Sequence, residues 1–182
     1  MMSENEVIEK CRKQDRHAQK YLYKKYASLL LGMCMRYTSD KSEAEDILQE
    51  SFLKIFLNVS DFQGTGSFEG WMKRIVINTA ITFYHKNLKH RYHYDIDDMY
   101  NLQTQETEYG SFDFTQEQLL KVVNDLPAGY RMVFNLYAIE GYKHKEIAEM
   151  MGIDINTSKS QFSRARKQLQ KKLEEIKSIK HG

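Results

Sequence analysis

A single proline, Pro127, and nine glycines are all the backbone punctuation in 182 residues. That is too little for the frequent turns of a β fold, and long segments of helical periodicity make the chain all-α. Cysteine is almost as scarce. Cys11 and Cys34 stand alone, without CxxC spacing, which excludes a disulfide framework and a zinc site and leaves two reduced thiols. No apolar run reaches membrane-spanning length, so no direct membrane insertion is expected. The opening MMSENEVIEK is too charged for a signal peptide, and the protein is expected to be cytoplasmic. No internal repeat is apparent.

What the chain does have is an uneven distribution of charge. The overall balance is +2, but residues 1–90 carry +3, residues 91–115 carry −5 and residues 116–182 carry +4. The acidic stretch RYHYDIDDMYNLQTQETEYGSFDFT lacks helical or strand periodicity over any useful length, and reads as a linker. Its tyrosines and Met99 argue against a purely solvated tether. The expected organisation is two small helical domains, 1–90 and 116–182, joined by a flexible acidic linker, 91–115. Pro127 should open the main helix of the second domain, after a turn capped around Asp125 or Leu126.

The segment GYKHKEIAEMMGIDINTSKSQFSRARKQL, Gly141 to Leu169, has the form of a helix-turn-helix. Lys145 to Met151 places Ile147, Ala148 and Met151 at helical spacing, and Gly152 stands where a left-handed residue ends a helix. Ile153 and Ile155 bracket the turn. Asn156 or Thr157 is the expected cap of the next helix, whose apolar stripe is Phe162, Ala165, Leu169 and Leu173. The opposite side presents Ser160, Arg164, Lys167 and Lys171, flanked by Lys159 and Arg166. A basic face alone is ordinary solvated surface. Here the preceding helix carries a small residue, Ala148, where two helices cross. No acid occurs from Thr157 to Lys172, and Thr157, Ser158, Ser160 and Ser163 lie near the helix start, where side chains meet bases and phosphates. Together these features point to duplex DNA.

The first domain holds a second constellation. Asp40 or Ser42 caps the helix SEAEDILQESFLKIFLNV, whose apolar stripe is Leu48, Phe52, Ile55, Phe56 and Val59. Asp46, Glu50, Leu53 and Leu57 share another face, mixing carboxylates with apolar anchors as a docking surface for a basic helical partner would. The alternative is that Leu53 and Leu57 pack under the preceding helix, Ala18 to Tyr37. Next comes a polar, glycine-containing loop, Asp61 to Ser67, and a helix, Phe68 to Lys86, apolar on nearly all sides. Lys73, Arg74, Lys86, Lys89 and Arg91 lie beside Phe62, Phe68, Trp71 and Tyr84. Cations interleaved with aromatics suit single-stranded DNA, although for any one ring core packing is the commoner role.

EAEDILQESFLKIF with the helix that follows it, and LPAGYRMVFNLYAIEGYKHKEIAEMMGIDINTSKSQFSRARKQL, together resemble bacterial RNA polymerase sigma factors of the extracytoplasmic-function (ECF) group, within the sigma-70 family. The resemblance lies in order and spacing: acidic helix, GSFEGWMKRIVINTA, linker, then LP and the helix-turn-helix. No segment between the domains is expected to form a further helical domain, which favours this minimal group over larger housekeeping members. The resemblance implies that Asp46, Gln49, Glu50 and Leu53 bind core polymerase at the beta-prime clamp helices, with the beta flap as a further polymerase contact. It implies that the loop Asp61, Phe62, Gln63, Gly64, Thr65, Gly66 and Ser67, with Trp71, Lys73, Arg74 and Asn78, binds the minus-ten element and captures a base flipped from the non-template strand. Thr157, Lys159, Ser160, Ser163, Arg164, Arg166 and Lys167 correspond to positions that bind the minus-thirty-five element. Gln161 departs from the pattern, standing where many members carry a basic residue, and phosphate affinity is expected to be lower there. An anti-sigma factor is a further expected partner.

On this reading the protein promotes promoter melting and catalyses nothing, and neither a cofactor nor a metal is expected. One rival is a helix-turn-helix transcriptional regulator with an N-terminal dimerisation or sensing domain. A metal enzyme built on His85, His90, His93 and Asp95 is disfavoured, because their spacing fits no single helix face.

Overall fold

The computed structural model describes residues 3–91 and 114–181; most of the expected linker lies outside the described residues. Among the described residues the chain is all-α, without strands: α1 Glu4–Arg12, α2 Arg16–Tyr37, α3 Lys41–Asn58, α4 Phe68–Arg91, α5 Gln116–Asn124, α6 Ala128–Phe134, α7 His144–Met151 and α8 Ile155–His181. A 3₁₀ turn, Val59–Asp61, closes α3, and a π-helical turn, Asn135–Ile139, follows α6 without a break. The chain divides into two compact units, Met1–Tyr84 and His85–Gly182.

Short polar side chains start the helices of the first unit, each accepting from an otherwise unpaired backbone N–H. Ser3 caps α1 through a reciprocal pair with Glu6. Asp15 accepts from the amide of Ala18 at 2.8 Å, and Asp40 from those of Ser42 and Glu43 at 2.7 and 3.2 Å. The core they frame gathers Val7 and Ile8 from α1, Leu22, Leu30 and Met33 from α2, Ile47, Phe52 and Ile55 from α3, and Met72, Val76 and Ile77 from α4, all buried. Cys11 and Cys34 are free and wholly enclosed in this core. Burial pushes both thiols up in pKa, that of Cys34 to about 12.

In the second unit Thr115 caps α5 through a reciprocal pair with Gln118. Val122 and Leu126 pack against Ala165 and Leu169 of α8, with Leu173 and Ile176 extending the contact along that helix. Lys172 closes its flank with a 2.9 Å ion pair to Asp125. Pro127 occupies the N-cap of α6. Gly152, at φ 64°, ends α7 in the left-handed conformation, and its N–H donates to the Ala148 carbonyl.

Candidate functional site

The buried side of α3 is Ala44, Ile47, Leu48, Ser51, Phe52 and Ile55. Leu53 follows Phe52, a rotation of about 100° that carries it off that face. Leu53 is 59% exposed and Leu57 79%, so neither packs under α2. Asp46 and Gln49 are also exposed. Glu50 lies 3.4 Å from Lys54 Nζ, and that amine also reaches 3.3 Å to the hydroxyl of buried Thr79 on α4. Two exposed leucines therefore stand beside three polar acceptors. Phe56, expected in the core, is only half-buried, resting on Phe52 with ring centroids 5.8 Å apart.

The Asp61–Ser67 loop is fixed at both ends and bare between them. Phe62 packs on Phe68 and Trp71 at 5.1 and 5.8 Å, and those two rings stack at 5.4 Å. Phe68 is buried, whereas Phe62 and Trp71 are half-exposed. At the far end Ser67 Oγ accepts from the Gly70 amide at 3.0 Å. Gln63, Gly64, Thr65, Gly66 and Ser67 are exposed, with φ of 75° at Gly64 and 138° at Gly66, a backbone that side chains disfavour. Helix α4 is less uniformly apolar than its sequence suggests. Gly70, Arg74, Asn78, Thr82 and Lys86 form one exposed polar stripe, and Lys73 pairs with Glu69 at 2.6 Å. Asn78 stands about 15 Å along the helix from Phe68, so the loop, Arg74 and Asn78 make a strip rather than one pocket.

In the second unit α8 begins two or three residues earlier than expected. Asp154, rather than Asn156 or Thr157, is its cap, accepting from the Asn156 amide at 2.7 Å. Its carbonyl takes the Ser158 amide at 3.0 Å as the first helical bond. Thr157, Lys159 and Ser160 are exposed on the following turn, and Lys167 is half-buried. Arg164 donates from Nη1 to the Tyr130 hydroxyl at 3.3 Å, while Arg166 lies 6.0 Å above the Phe162 ring.

Two of the short polar residues turn inward. Ser158 is fully buried with Oγ 2.9 Å from His144 Nδ1, and the Ser163 hydroxyl is enclosed without a hydrogen-bond partner among the described residues. The Gln161 amide oxygen is enclosed in the same way. His144 also stacks on Tyr137 at 4.3 Å and meets the edge of Phe162 at 5.8 Å. Burial, helped by the charge of Lys159, lowers its pKa below the ordinary histidine value. Neither the His144 cluster nor the Tyr130 contact was visible in the sequence, because 14 and 34 residues separate the partners. Of the candidate metal ligands only His85 has a described side chain, and no metal-binding group of three or more occurs among the described residues.

These features define an all-α protein with a helix-turn-helix unit and a second helical unit that exposes a mixed acidic and apolar face. Residues 22–89 match the family described as Sigma-70 region 2, and residues 116–169 match Sigma-70, region 4. The ECF RNA polymerase sigma-E factor of Haemophilus influenzae is 25% identical, the alignment covering 96% of this chain and 97% of the relative. The RNA polymerase sigma-H factor of Pseudomonas aeruginosa is 26% identical over 95% of each chain. The fold is similar to that of the sigma factor RpoE of Bartonella quintana, solved with the anti-sigma factor NepR: TM-score 0.52 at 24% identity, covering 85% of this chain and 96% of the other. The chain belongs to the sigma-70 family, as a sigma factor of the ECF group that directs RNA polymerase to promoters.

Proposed function

We propose that the first unit holds core polymerase through the α3 face of Asp46, Gln49, Glu50 and Leu53, seated on the beta-prime clamp helices, with the beta flap as a second contact. Exposure of Leu53 and Leu57 beside these acceptors is the observation that carries this reading, since a water-facing leucine pair within a charged rim is what an unoccupied docking surface presents. The Asp61–Ser67 loop, Arg74 and Asn78 bind the unpaired non-template strand of the minus-ten element, with Trp71 supporting the loop from beneath. Thr157, Lys159, Ser160, Arg164 and Lys167 read or clamp the minus-thirty-five duplex.

The protein performs no catalysis. Unpairing costs a few kcal/mol per extruded base, and the loop favours the open promoter by offsetting that cost. It works in the cytoplasm, and an anti-sigma factor restrains it; among the described residues no helix is long and apolar enough to cross a membrane.

The test is transcription run-off with purified core polymerase on paired promoter DNA and on a template mismatched across the minus-ten element. A variant lacking Gln63 and Gly64, or Asn78→Ala, should keep core binding and closed-complex formation. It should fail to open paired DNA and recover much of its yield on the mismatched template. Normal permanganate reactivity of these variants on paired DNA would remove the loop from this role.

A further inference from the structure

The base of the Asp61–Ser67 loop is held from the far end of the unit's sequence. Arg12, the last residue of α1, donates from Nη2 to the Phe62 carbonyl at 2.5 Å, and from Nε makes a longer contact of 3.5 Å to the Val59 carbonyl. Glu9, one turn back on α1, takes Nη1 at 2.6 Å and so aims the guanidinium. The Val59 carbonyl also accepts the Phe62 amide at 3.3 Å, so the fork spans the two carbonyls that shape the 3₁₀ turn leading into the loop. Every guanidinium nitrogen has an acceptor here. Arg12 also precedes the region 2 match, which begins at residue 22.

We propose that Arg12 is a positioning residue for base capture. Its grip on the Phe62 carbonyl sets the direction in which Gln63 to Ser67 leave the protein and holds Phe62 against Phe68 and Trp71. The exposed part of the loop has two glycines at positive φ and no apolar anchor of its own. Its geometry therefore depends on its ends, Ser67 at one and Arg12 at the other. A loop held in its binding conformation loses less entropy when a base arrives, and so binds more tightly. Lysine would be a poor substitute, because a single ammonium cannot span two carbonyls as the rigid fork does. The Arg12 side chain is 32% exposed and stands outside the apolar core, so its truncation should leave the unit folded.

The inference rests on reading this loop as the base-capturing element, and the experiment separates the two. Holoenzyme is assembled from core polymerase and the full chain, and the probe is single-stranded DNA that wild-type holoenzyme selects from a random pool. Arg12→Ala should weaken probe binding about tenfold, the scale of a lost hydrogen bond from a charged donor. Arg12→Lys should recover less than half of that loss. Core affinity should not change, and neither should the salt dependence of probe binding, because no phosphate contact is removed. Trp71, the sole tryptophan, reports on the loop base directly: acrylamide quenching of the folded protein should rise in Arg12→Ala.

If Arg12→Ala binds the probe like wild type while the variant lacking Gln63 and Gly64 does not, the Arg12 role is wrong and base capture stands. If both bind like wild type, base capture falls and the Arg12 role with it. A weaker salt dependence would make Arg12 a phosphate contact instead. Unchanged Trp71 quenching with a lowered melting midpoint would reduce it to general stability.

Discussion

At the scale of single residues, the side chains offered to partners differ in how firmly the fold holds them. Asp46 is exposed, and Glu50 makes an i,i+4 pair with Lys54, a kind worth under about 1 kcal/mol. Changing both to alanine should alter stability by about 0.5–1 kcal/mol at most while weakening core affinity by about 1–3 kcal/mol. Circular dichroism with a core-binding titration checks this, and unchanged affinity would take α3 out of the polymerase contact. Arg164 is different, because its guanidinium is already bonded to the Tyr130 hydroxyl. Arg164→Ala should cost about 1–3 kcal/mol on promoter duplex and relax preference at one upstream position, whereas exposed Lys171→Ala should weaken all sequences alike and flatten the salt dependence. Equal, sequence-independent losses would make both phosphate contacts.

At the scale of the element, most helices were legible because each advertises itself locally: an apolar stripe, a polar cap, a left-handed glycine after α7. The start of α8 was misjudged by this same local reasoning. Asp154, Asn156 and Thr157 are all competent caps, and it is the Asn156 amide donating to the Asp154 carboxylate that marks Asp154 as the one used. The inward turn of Ser158 was equally hidden, since a serine beside lysines looks like surface until a histidine on another helix claims it. Leu53 and Leu57 were legible as a pair but not as exposed, because periodicity places residues on a face without saying what covers it.

That half-buried histidine carries a pH consequence for the helix-turn-helix. With its folded pKa below the unfolded value of about 6.5, His144 binds protons less readily in the native state than in the unfolded chain. Its contribution is present above the unfolded value and is lost as pH falls through the folded one. Urea unfolding of the second unit should therefore weaken from pH 7.5 to pH 5, and His144→Gln should flatten that profile. A profile equally steep in the variant would assign the effect to other groups.

At the scale of the whole molecule, the chain forms two compact units, and the proposed reading gives each its own share of one initiation factor's work. Tertiary structure supplied what sequence could not: which face of α3 remains open, and how α1, outside the region 2 match, reaches the loop that follows α3. The acidic linker stayed a compositional reading, because a segment without periodicity offers no pattern from which to derive contacts.

Both cysteines of the chain lie in the first unit, enclosed and far from ionising at neutral pH. This turns them into a clock that runs on one half of the protein only. An aromatic disulfide reagent is attacked by thiolate, so at pH 8 each sulfur should react only during excursions that open the first unit. Labelling should be far slower than for a free thiol, and core polymerase should slow it further by mass action. If the second unit grips the duplex as proposed, promoter DNA offered without core should leave the rate untouched. Rapid modification of the folded chain would mean that the first unit opens far more readily than its buried core implies.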